Sequence, residues 1–268
     1  MFEFLRKLTQ PDPLASPLWP AIGRAMPLLH GLSDEEWARL ETRMRHFLRH
    51  KYVEGTHELT LTESQRLVIA AQACLPIMNL EDKAYDAWSE VIVYPAAFVS
   101  PTQWTDEYGL VHEAGQPVIG MARSDGPLLL SLPDVEQGPW LDGRNVVIHE
   151  CAHKLDMLNG RPNCFPPLHA DMSRKAWNRA FERAYADFRN RLYQGLPVSI
   201  DPYGAQDPAE FFAVLSEYFF ELPHLLHREY PAVYEQLRQF YRQDPGARLP
   251  VIGVQPCAQD ELTPCHAG

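Results

Sequence analysis

Apolar residues recur along this chain in two rhythms, and the change between them divides it. A proline-rich stretch over residues 1 to about 30 reads as an irregular surface wrap. Ser33-Asp34-Glu35-Glu36 then opens a helix: Ser33 is a hydroxyl N-cap, acids fill the first turn, and Trp37, Leu40, Met44, Phe47 and Leu48 form an apolar stripe. Thr62-Glu63-Ser64-Gln65 is a capping box, and the apolar run from Leu67 to Leu75 behind it predicts a deeply buried helix. The rhythm then shortens. Val91 to Tyr94, Gly109 to His112, Pro117 to Ala122 and Leu128 to Leu132 are short apolar or alternating runs cut by Pro, Gly and Asp, the pattern of a strand meander. From Asn145 onward the spacing is helical again. One segment carries His149 and His153, a long one runs from about Ser173 to Tyr193, another from Asp207 to Phe220, and a last one from about Glu229 to Tyr241. Strands first and helices later predict an α+β fold.

Composition narrows the class. With 268 residues and 46% hydrophobic content, the chain can bury a large core in one or two domains. No apolar run approaches the roughly 18 residues of a membrane span, and Met1 to Leu8 lacks the apolar region of a signal peptide, so a cytoplasmic protein without membrane contact is expected. The five cysteines, Cys74, Cys151, Cys164, Cys257 and Cys265, are odd in number and scattered, which fits reduced thiols. A formal net charge of −11 argues against direct binding to nucleic acid. The one basic stretch of note, Met44 to Lys51, is expected to be the solvated side of a helix.

The candidate chemistry lies in His149-Glu150-Cys151-Ala152-His153, an H-E-x-x-H sequence. On a helix, residues four apart stand one above the other, so two imidazoles can reach one metal ion. Glu150 points into the same cleft and can act as general base toward a water that the ion has acidified to a pKa of roughly 7. Asp142-Gly143-Arg144-Asn145 reads as the turn into this helix, Val146, Val147, Leu155 and Leu158 as its buried side, and Asn159-Gly160 as its stop. Cys151, turned away from the metal side, reads as a small buried hydrophobe.

A catalytic zinc ion usually has three protein ligands. The residues after His153 exclude the H-x-x-G-x-x-H continuation, which leaves a glutamate from a downstream helix. Asp207 as N-cap and Pro208 at the first helical position put Glu210 in the first turn of an otherwise apolar helix. Glu210 is one candidate ligand, and Glu217, seven residues on and on nearly the same face, is its competitor. Asp156 either supports a zinc-bound imidazole from behind or is a surface acid. His112, His169, His224 and His227 have no partner at ligand spacing and read as structural or surface residues. Leu128 to Leu132 is a candidate edge strand for an extended peptide.

H-E-C-A-H-K-L-D (149–156), together with D-P-Y-G-A-Q-D-P-A-E-F-F-A-V-L-S-E-Y-F-F (201–220), resembles the Mlc titration factor A family of bacterial zinc peptidases, whose catalytic domain is similar to that of lethal factor. Looser similarity extends over most of the chain, including I-V-Y-P-A-A-F at Ile92 to Phe98. The resemblance implies one zinc ion on His149, His153 and Glu210, with Glu150 as general base and Tyr203 as a donor to the oxyanion. It also implies an α+β, zincin-like catalytic domain with a small mixed sheet and an active-site helix. The expected organisation is a mainly helical region over 1–80, that catalytic domain over 81–245 and an irregular tail over 246–268. The expected activity is that of a gluzincin-like peptidase, trimming N-termini rather than cutting internally. The family also implies a protein partner, the glucose repressor Mlc, whose titration would regulate expression of the sugar phosphotransferase system. A non-catalytic protein that sequesters the repressor is the alternative.

Overall fold

The computed structural model describes residues 12–81, 83–105, 111–122 and 126–252, with 99–105 and 111–118 described by backbone only. Among them, the fold is mixed, built from a small four-stranded sheet, a separate hairpin and surrounding helices. Helix α1 is Leu18–Ala25, about two turns of regular structure inside the stretch expected to be irregular. Helix α2, Asp34–His50, begins at Ser33 with a complete capping box to Glu36. Strand β1, Tyr52–Gly55, follows at once, and helix α3, Glu63–Cys74, starts at the Thr62/Gln65 capping box. Residues Ile69 to Cys74 of α3 are fully buried, as the apolar run predicts.

The sheet runs β1, β2 (Glu90–Tyr94), β6 (Leu128–Ser131), β5 (Gly120–Ala122), where β3 (Phe98–Thr105) and β4 (Val111–Val118) form the hairpin. β1, β2 and β6 are parallel, and only β5 is antiparallel to its neighbour. It is therefore not a meander, because parallel neighbours need crossover connections and α3 supplies one between β1 and β2. Leu128–Ser131 lies inside the sheet, and the edge beside the cleft is β5. The reason is legible afterwards: a strand covered on both faces reads as a continuous apolar run, as Leu128-Leu129-Leu130 does. Residues 109 and 110 of one expected strand, the side chain of His112, and Cys257 and Cys265 lie outside what is described.

Helix α4, Leu132–Gln137, leads to the turn before helix α5, Val146–Asp156. Every residue of α5 is buried, including both histidines. It packs against α3, β5 and β6 on one side and against α7, Pro208–Glu221, on the other. Leu158, expected to extend the buried side, lies past the end of α5 and is 41% exposed. Helix α6 spans Arg174–Tyr193 with Ser173 as N-cap. Phe211, Phe212, Phe219 and Phe220 of α7 are fully buried, each contributing about 1.5–3 kcal/mol by the usual scale for large apolar side chains. The last expected segment is helix α9, Pro231–Tyr241, and a further short helix, α8 (Pro223–Glu229), precedes it; Pro231 cannot continue α8 and instead starts α9.

Two further expectations are corrected by packing. Lys51 is not a solvated base: its Nζ donates to the carbonyls of Tyr85 and Trp88 and sits 4.3 Å from the Trp88 ring, and burial pushes its pKa down to about 8. The start of the tail, expected to lie loose after about Gly246, is instead packed, since Leu249 is buried and Arg248 donates to the carbonyls of Leu28 and His30. Among the described residues, no helix is long and apolar enough to cross a membrane.

Candidate metal centre

The site forms where α5 crosses the start of α7. Asn145 caps α5, its Oδ1 accepting from Ile148 N at 3.0 Å. The turn before it needs Gly143 at φ +89°, where a Cβ would also strike Leu222 and Tyr218. One helical turn then places His149 and His153 on the same side. Asp207 caps α7, accepting from Ala209 N and Glu210 N, and Pro208 occupies the first helical position. Glu210 would ordinarily fold back onto its own cap, but here its carboxylate turns to the histidines.

His149, His153 and Glu210 each offer one ligand atom, all within 4.8 Å of one another. Glu210 Oε2 is 3.0 Å from His149 Nε2 and 3.3 Å from His153 Nε2, and the two Nε2 atoms are 3.2 Å apart. Tetrahedral ligands 2.0–2.1 Å from a common centre stand about 3.3 Å apart, so this triangle fits a single divalent cation. The nitrogen and carboxylate donors also suit such an ion. Burial raises Glu210, but the hydrogen bonds and charge of the two imidazoles outweigh it and hold the carboxyl well below its usual range.

Glu217 lies on the other side of His149. Its Oε1 is 2.7 Å from His149 Nδ1, and its Oε2 accepts from Asn145 N at 2.5 Å. It therefore competes with nothing at the Nε2 triangle; it fixes the ring by accepting the Nδ1 proton, which leaves Nε2 for the cavity. Glu221, one turn on, accepts from Asn145 Nδ2 and Gly143 N, both at 2.9 Å. Burial, followed by lesser charge effects, pushes Glu221 well up. Sequence reasoning missed the Asn145–Glu221 pair. The available signal was the column Glu210, Glu217, Glu221, three acids on one stripe of a helix whose other positions are almost all apolar.

Glu150 is 4% exposed, and its Oε2 has no hydrogen-bond partner among the described residues. Burial pushes its pKa up to about 7 against the pull of the neighbouring histidines. Gly120 of β5 makes room for it: a Cβ there would fall 2.5 Å from Glu150 Oε1. Tyr203, on the 3-10 turn Pro202–Ala205, has its ring 5.9 Å from that of His149. Burial, then the charges of Glu210, Glu150 and Asp207, push its phenol well up, so it is a neutral hydrogen-bond donor at ordinary pH. Both residues line one cavity of about 540 Å³ with His149, His153 and Glu210, and β5 forms its opposite wall.

Asp156 takes neither expected role. It is fully buried and accepts from the backbone N–H groups of Asn163, Cys164 and Phe165 at 2.6–2.8 Å, pinning the loop that contributes Pro162 and Asn163 to the cavity. His153 Nδ1 has no hydrogen-bond partner among the described residues. Cys151 is buried and free, as expected, and so are Cys74 and Cys164. His169 and His224 pair with the backbone carbonyls of Phe240 and Leu249, and His227 packs on Tyr234, all structural roles.

Comparison with known proteins agrees with the geometry. The chain is 38% identical to Mlc titration factor A of Yersinia enterocolitica over 252 residues, covering 93% of this chain and 94% of the relative. It is also 38% identical to the proteins of that name from Pectobacterium atrosepticum, over 84% of this chain and 86% of the relative, and Salmonella gallinarum, over 86% and 88%. Residues 3–242 match the description of the glucose-regulated metallo-peptidases M90, and the chain belongs to that family.

Proposed function

We propose that the protein is a cytoplasmic zinc peptidase that removes residues from the N-terminus of peptides. The observation that carries this reading is the Nε2/Nε2/Oε2 triangle on the same cavity as Glu150, whose buried Oε2 is unpartnered. His149, His153 and Glu210 would hold one zinc ion. When bound, zinc supplies Lewis acidity, acidifying a water molecule and polarising the peptide carbonyl. Glu150 takes the proton of the attacking water and returns it to the leaving amine. Tyr203 donates its O–H to the oxygen on which negative charge develops. Strand β5, the edge strand beside the cleft, can add an extended peptide as a further strand and lay its scissile bond across the site.

Replacing Glu150 with Gln keeps shape and removes the base. Hydrolysis of alanyl peptides should fall by at least about 10²–10⁴-fold, with the metal content unchanged. Hydrolysis at the wild-type rate would end the reading.

A second role rests on the name of the relatives: binding of the repressor Mlc. With a net charge of −11, the protein would act on the repressor rather than on its DNA. Capture of Mlc by the Glu150→Gln protein would separate binding from catalysis, and failure of both this protein and the wild type to capture it would remove the role.

A further inference from the structure

The cavity is lopsided in charge. Glu150, Asp207 and Glu210 line it, and among the described residues no lysine or arginine does. Two of these acids have tasks in the reading above, Glu210 beside the histidines and Glu150 as base. Asp207 has only half a task. Its Oδ1 accepts both capping N–H groups, from Ala209 at 2.7 Å and Glu210 at 3.0 Å, and its Oδ2 takes no hydrogen bond among the described residues. The residue is exposed and lines the cavity, three positions before Glu210 at the same helix start, a spacing that puts side chains about 5–6 Å apart at Cβ. Its charge reaches the reaction space, since it helps to push the Tyr203 phenol up. Glu150, whose Oε2 is buried and unpartnered, lines the same cavity.

The α-amine of a peptide is two bonds, about 2.5 Å, from its first carbonyl carbon. A peptide whose first carbonyl is at the histidine/Glu210 triangle thus carries its ammonium within a few ångströms of that point. We infer that Asp207 Oδ2 is the subsite for the protonated α-amine of the substrate, and that Asp207 thereby selects chain ends over internal bonds. This rests on the peptidase reading above. An internal peptide bond presents no cation there and leaves the carboxylate unpaired.

The test uses the zinc-loaded Glu150→Gln protein, which holds peptide without turnover, and compares the dissociation constants of Ala-Ala-Ala amide and its N-acetyl form. With Asp207 in place, the free amine should bind about fivefold tighter, the upper end for a solvent-exposed ion pair. Asp207→Asn keeps the cap and removes the charge, and Asp207→Ser does the same with a shorter side chain. In either variant, the preference should vanish while the melting temperature stays. No preference in the Asp207 protein, or a preference that survives both substitutions, would overturn the inference. The peptidase reading is decided separately, by wild-type turnover of Ala-Ala-Ala amide: no turnover with the amine preference intact overturns that reading and leaves the subsite.

Discussion

The two sides of α5 are built by opposite rules. Behind His149, the polar atoms are paired: Glu217 spans His149 Nδ1 and Asn145 N, and Glu221 spans Asn145 Nδ2 and Gly143 N, all in buried surroundings. In front, Glu150 Oε2 is buried and unpartnered, and three ligand atoms crowd within 4.8 Å. An unpaired buried polar group costs about 1–3 kcal/mol, so a fold keeps one where a ligand will use it. The contrast separates groups that hold the site from groups that act in it, although they alternate along the same two helices.

Substitutions on each side should therefore fail in different ways. In front, Tyr203→Phe keeps the ring against His149 and removes one donor. Its kcat should fall by about 10²–10³-fold with KM and metal content little changed; a variant with full kcat would remove Tyr203 from the chemistry. Behind, Glu217→Gln can serve either His149 Nδ1 or Asn145 N with its one acceptor oxygen, but not both. Metal affinity should weaken by about 10–100-fold, read by competition with a chelator, while the pH profile of the loaded enzyme keeps its shape. Unchanged affinity would show that His149 needs no support.

The smallest effect expected is in the pH profile. Burial raises the Glu150 carboxyl to about 7, so with falling pH it binds its proton early and ceases to be a base. A bound cation favours the ionised form and lowers that point. For the zinc-loaded enzyme, kcat/KM should thus rise with pH and level off at or below about 7, with metal content checked at each pH. A rate that falls as pH rises from about 5 to 7 would contradict Glu150 as base.

Local signals read well from the sequence. Ser33/Glu36, Thr62/Gln65 and Asp207-Pro208 start helices because a cap is satisfied within four residues of itself, and H-E-x-x-H works through one helical turn. Non-local pairings read poorly. Tyr52–Gly55 is only four residues long and becomes a strand because β2 is there to pair with it in parallel. Pro117–Ala122 and Leu128–Leu132 both read as strands, but no periodicity says which of them forms the cleft edge, and the value of Gly120 lies in the space it leaves for Glu150. Glu217 was visible as a residue on the correct face, but spacing alone could not tell which nitrogen of His149 it meets. Asp156 was harder still, because its three partners belong to a loop whose path no periodicity describes.

The central claim is that Glu210, and not Glu217, completes the metal centre with the two histidines. Zinc content of the purified wild type, Glu210→Ala and Glu217→Ala proteins tests it most directly. The account predicts one zinc per chain in the wild type, loss of stoichiometric zinc in Glu210→Ala and weakened but measurable binding in Glu217→Ala. Full zinc occupancy in Glu210→Ala, with loss in Glu217→Ala alone, would contradict it.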